Sequence, residues 1–76
     1  MIEVKNLKLE DNIVQFSYKT ELNDFYKTIK YNIKTDEYEP VDIDEYELKC
    51  IYHAIKEIKR KIKNNELIDK FIKIWY

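Results

Sequence analysis

Cys50 and His53 stand three residues apart, which makes them neighbours on the surface of a helix. A thiolate beside an imidazole is a pairing that can attack a carbon centre, and the same two side chains can supply half of a tetrahedral zinc site. The chain has one cysteine and one histidine. A zinc site within one subunit would therefore need carboxylates to complete it, and no residue stands out to orient the imidazole or to form an oxyanion hole. The plainer reading is a packed or half-exposed cysteine beside a surface histidine. We expect no catalytic set, no metal and no cofactor.

Two charged runs carry more pattern. Asp36, Glu37, Glu39, Asp42, Asp44, Glu45 and Glu47 follow one another with no basic residue among them. A calcium loop does not fit, because its tight bend uses a glycine and the ligand spacing differs. An anionic surface that imitates phosphate and fills a basic groove on another protein does fit. So does the structural alternative, in which the acids cap a helix and keep an edge strand soluble. Next come Lys49, Lys56, Lys59, Arg60, Lys61 and Lys63 against one acid, Glu57. On a helical wheel, Lys49, Lys56, Lys59, Arg60 and Lys63 gather on one flank with Tyr52 among them. That is a minimal footprint for phosphates and a stacked base, or else a solvated flank that complements the helix carboxyl end.

The element that must position these groups is a helix over 42–63. Leu48, Ile51, Ile55, Ile58 and Ile62 recur at steps of three and four, and Asp42 followed by Glu45 resembles a capping box. Glu45 with Lys49, and Glu57 with Lys61, are acid-before-base pairs at helical spacing. A helix of this length is marginal alone, so its stripe needs a sheet. Residues 1–41 read as that sheet, an antiparallel meander of three or four strands. Ile2 and Val4 alternate with polar residues, then the phase slips at Asn6, which predicts a bulge. Val14, Phe16 and Tyr18 form the second strand. A turn at Asn23-Asp24 leads to a third over 25–33, with Phe25, Ile29, Tyr31 and Ile33 on one face and Tyr26 on the wet one. A short fourth strand follows over 38–41, where Pro40 suits only an edge.

After Asn64-Asn65, an arc of Leu67, Ile68, Phe71, Ile72, Ile74 and Trp75 predicts a short C-terminal helix over 66–76, supported by Glu66 with Lys70 and Asp69 with Lys73. A final strand over 71–76 is the rival, since Phe, Ile, Trp and Tyr favour sheets. The whole reads as one α+β domain.

Composition bounds the function. Seventy-six residues with 45% apolar and 38% charged side chains make one modest core. A formal charge of −1 argues against bulk nucleic-acid binding. A single cysteine fits a reducing compartment, and no stretch reads as a signal peptide or a membrane span; the expectation is cytoplasmic. Glycine is absent, so turns with positive φ must fall to Asn or Asp, and glycine-rich nucleotide loops are ruled out.

Seven tyrosines are a large share, and tyrosine is favoured where proteins meet. We expect a non-enzymatic protein-binding module using Tyr26, Asp36, Glu37, Glu39, Asp42, Asp44 and Tyr46. By size and composition it is similar to the inhibitors and accessory factors of phages and mobile elements, anti-CRISPR proteins among them. The alternative is nucleic-acid binding through Lys49, Tyr52, Lys56, Lys59, Arg60 and Lys63. The apolar carboxyl end also makes a homodimer a candidate.

Overall fold

The computed structural model describes residues 1–22, 24–40, 42–66 and 69–73. Asn23 of the second turn, Val41 of the expected fourth strand, and Leu67, Ile68 and 74–76 of the expected C-terminal helix lie outside the described residues. The chain runs β1 (Ile2–Glu10), β2 (Ile13–Thr20), β3 (Lys27–Asn32), β4 (Glu37–Glu39), α1 (Glu45–Lys63), β5 (Phe71–Lys73). The strands form one antiparallel sheet in the order β4-β3-β2-β1-β5, with α1 on one face. Among the described residues no helix is long and apolar enough to cross a membrane.

The meander follows from alternation. Val14, Phe16 and Tyr18 on β2 and Ile29 and Tyr31 on β3 are buried, opposite one another in register. The slip in β1 is a bulge: pairing steps from Lys5 opposite Ser17 to Lys8 opposite Gln15, so two residues of β1 face one of β2. Asn6 takes φ 56° there, and the extra residue returns Leu7 to the core. Asp11, Asp36 and Asn65 also take positive φ. Among the described residues every such position is Asn or Asp, as a chain without glycine requires.

β3 is shorter than expected and leaves Phe25 outside it, exposed. The register that sets Phe16 opposite Ile29 puts Lys27 opposite Tyr18, and 21–26 becomes the connection. At the fourth strand, Glu37–Glu39 pairs with β3, and Pro40 follows a cis peptide bond at the sheet edge.

The helix starts later than expected. Asp44 is the cap, its carboxylate accepting from the amides of Tyr46 (3.0 Å) and Glu47 (3.4 Å). Asp42 lies outside the helix, too far back to reach those amides. The buried side is also rotated from the predicted stripe. Ile51, Ile55 and Ile58 belong to it as expected, but its centre holds Cys50 and Ala54, both fully buried, while Leu48 is 39% exposed. Small side chains let α1 come close to the sheet, a signal that counting only large apolar residues misses. Asn65 in the left-handed region ends the helix, with the Glu66 amide bonded to the Lys61 carbonyl.

The C-terminal helix expected over 66–76 does not form at Phe71–Lys73. That segment is a strand, pairing Phe71 with Val4, Ile72 with Glu3 and Lys73 with Ile2. The free edge of β1 offers unmet amides and carbonyls along its length, and a short apolar segment of β-favouring residues satisfies them. Phe71 then packs against the core while Ile72 stays 58% exposed. The helical pair of Asp69 with Lys73 is replaced by a contact of Lys73 with Glu57 at 3.7 Å.

Candidate interaction surfaces

Cys50 and His53 part company on α1. Cys50 is sealed in the core, and burial pushes its thiol above the ordinary range. His53 is half-exposed with its ring edge-on to Tyr52, and burial, with Lys56 second, lowers its pKa. Thiol and imidazole therefore face different environments. Among the described residues no three His, Cys, Asp or Glu side chains converge on a metal-sized site.

The first surface lies along the outward side of α1, where Tyr38, Tyr46, Leu48, Lys49, Tyr52 and His53 line an open groove of about 500 Å³ next to Glu45. Leu48 is 39% and Tyr52 54% exposed. Tyr38 is positioned from β4 by packing on Tyr31, with centroids 5.1 Å apart, and burial raises its pKa. The Tyr31 hydroxyl donates to Asp36, which also meets Lys59 at 3.5 Å. These contacts, the Tyr31 bond first, hold the Asp36 carboxyl below its usual range.

The acidic set predicted from sequence is brought together only in part. Glu37 and Glu39 flank Tyr38 on β4, and Asp42 and Asp44 lie on the connection into α1, all exposed. Tyr46 is half-buried, with its hydroxyl donating to Glu21, which raises the pKa of the phenol and lowers that of the carboxyl. Tyr26 is elsewhere. It sits on the uncovered face over β1, its hydroxyl donating to Glu3 (3.1 Å), its ring beneath Lys5 (3.7 Å) and near Lys19 (5.3 Å). Three strand spacings, about 14 Å, separate β1 from β4.

The basic set is contiguous and exposed, as the wheel predicted, yet partly neutralised. Arg60 is clamped by Glu57 through Nε (3.1 Å) and Nη2 (2.7 Å) and reaches Glu66 at 3.5 Å. Lys59 is held by Asp36. Lys49, Lys56 and Lys63 form no ion pair among the described residues, and Lys56 lies 5.3 Å from the Tyr52 ring. The acidic and basic runs thus meet at Asp36 with Lys59, and Glu45 and Lys49 bring them together at the groove on α1. Glu37 and Glu39 instead line a separate hollow with Lys30 and Asn32.

A second groove, about 570 Å³, opens on the uncovered sheet face between Tyr26 and Ile72, beside Glu3, Lys5 and Lys70. Sequence reasoning did not find it, because reading the tail as helix removed Ile72 from the sheet. It also missed the pairing of Lys27 with Glu47 at 2.7 Å, which lets a carboxylate only 8% exposed stand at the helix–sheet seam. A wheel centred on Cys50 and Ala54 would have flagged Glu47.

Among the described residues these observations define an α+β domain with one helix on a five-stranded antiparallel sheet, with unlike grooves on α1 and on the uncovered sheet face. No protein-family model, no curated protein and no solved structure matches the chain.

Proposed function

We propose that the protein is a non-enzymatic protein-binding module that receives a basic segment with an apolar tip on the groove of Tyr38, Leu48 and Tyr52. The observation that carries this is the exposure of Leu48 and Tyr52 beside an acidic stretch in which, among the described residues, only Asp36 and Glu47 have a cationic partner. A rigid tyrosine and a leucine give apolar contact at small entropic cost, and a charged rim steers and selects the partner. An inhibitor or accessory factor is the form of binding module that this size and composition suit. Tyr26, on another face, is left out of this surface.

Affinity capture from the native host tests it. A partner retained by the wild-type chain is lost or weakened at least about tenfold by Tyr52→Ala, and weakened by the pair Asp42→Lys and Glu45→Lys, Glu45 being the acid beside the groove. Asp44 is left unchanged because it caps α1. Partners held equally well by all three proteins overturn the proposal. The second reading, nucleic-acid binding through Lys49, Lys56 and Lys63, draws on the unpaired state of these lysines and on Lys56 beside Tyr52. A mobility shift lost in Lys56→Gln/Lys63→Gln supports it, and no shift at low salt removes it.

A further inference from the structure

The uncovered face of the sheet differs from the rest of the surface. Lys5 and Lys8 on β1 and Lys19 on β2 occupy positions that alternation turns away from α1, and Lys70 precedes β5 at the groove beside Tyr26. Lys19 meets Glu3 at 3.5 Å, whereas Lys5, Lys8 and Lys70 form no ion pair among the described residues. Glu3 is already engaged twice, by Lys19 and by the Tyr26 hydroxyl. The other acids of this face are peripheral: Glu10 ends β1, and Glu37 and Glu39 lie on β4. At about 14 Å from β1, the β4 carboxylates are beyond the screening length of about 8–10 Å at moderate salt. The β5–β1–β2 side therefore presents positive charge although the chain as a whole does not.

Charge alone would suit any polyanion, but the groove adds a shape. Tyr26 and Ile72 wall about 570 Å³ of space, with Lys5 and Lys70 at its edge. Glu3 lines it too, its carboxylate held by Lys19 and the Tyr26 hydroxyl. Lys5 covers one face of the Tyr26 ring, so a base takes the ring surface that Lys5 leaves open or displaces Lys5 toward the phosphates. The hydroxyls of Ser17 and Thr28, 3.3 Å apart, continue the polar face beyond Lys5. A flat apolar slot beside lysines matches an unstacked base with its phosphates. A duplex keeps its bases stacked inside, and an acidic peptide offers a planar ring only where an aromatic residue falls, whereas every nucleotide carries one beside its phosphate.

We infer that this face binds single-stranded nucleic acid, with a base between Tyr26 and Ile72 and the backbone passing over Lys5, Lys70, Lys19 and Lys8. This site is separate from the groove on α1 and does not depend on it.

Fluorescence anisotropy of a labelled oligothymidylate and of an oligouridylate, titrated with the full chain over a series of salt concentrations, tests the inference. Four neutralised phosphates give a slope of log affinity against log salt of about −2.8. Tyr26→Ala weakens binding at least about fivefold and Tyr26→Phe, which keeps the ring, restores it. The pair Lys5→Gln/Lys70→Gln flattens the slope by about 1.4, and Lys56→Gln/Lys63→Gln on α1 changes nothing. Circular dichroism confirms that each variant is folded. The inference is overturned if no binding occurs at low salt, if polyglutamate or duplex DNA competes as well as the single strand, or if the α1 pair abolishes binding instead.

Discussion

Along β2 every second side chain from Val14 to Thr20 is sealed beneath α1, while Gln15, Ser17 and Lys19 between them remain in contact with water. One backbone thus presents two faces of opposite chemistry. The covered face holds nearly all the apolar side chains that oppose chain entropy, so its residues are fixed by packing. Positions on the uncovered face bear little of that load, leaving lysines, hydroxyls and Tyr26 there available for recognition. The largest expected contrast lies between adjacent residues. Phe16→Ala removes a fully buried ring and costs about 3–5 kcal/mol, comparable to the whole stability of a domain this size. Ser17→Ala costs about 0.5 kcal/mol or less. Urea denaturation followed by circular dichroism should show no cooperative transition for the first and a nearly unchanged midpoint for the second. Similar losses from both would mean that the two faces are not divided in this way.

How far the sequence revealed this division depends on which interactions set each element. Strands β2 and β3, the bulge at Asn6 and the Asn and Asp turns were legible because each is dictated by alternation or by the φ that a residue tolerates. The exposed basic flank of α1 was legible from the wheel for the same reason. What could not be read locally was decided by partners distant in sequence. Residues 71–73 become a strand because β1 has a free edge. Lys27 can take a covered-face position because Glu47 meets it from α1. The cap moved from Asp42 to Asp44 because the chain stays outside the helix until it has crossed from the sheet edge. The candidate sites divided likewise: exposure of individual charges was predictable, but the separation of Tyr26 from the acidic run required the strand order.

Strand β5 repeats the contrast on a smaller scale and sharpens it. Phe71, half-buried against the core, and Ile72, on the uncovered face, adjoin in sequence. Phe71→Ala should cost about 2 kcal/mol, roughly half the value for full burial of the ring. Ile72→Ala should stay within about 0.5 kcal/mol. Both are measured by the shift in denaturation midpoint. A C-terminal helix would instead place the two residues together on its apolar arc and make their costs similar.

The smallest effect tests the rim, where the covered face gives way to solvent. Tyr31 is buried, but its hydroxyl reaches out to Asp36, which is exposed and also meets Lys59. These partners lower the Asp36 pKa from the ordinary 3.8. The folded state therefore binds this proton less readily than the unfolded chain does. Its contribution to stability is fully present above the unfolded value and is lost as pH falls through the lowered folded one. Asp36→Asn should lower the denaturation midpoint slightly at neutral pH, and the two proteins should converge in acid below the ordinary carboxylate range. Because the carboxylate is exposed, solvent and salt screen the effect, and added salt should narrow the gap further. A difference that persists undiminished into acid would show that the substitution acts through the β3–β4 turn, where Asp36 holds its positive φ of 60°, and not through charge.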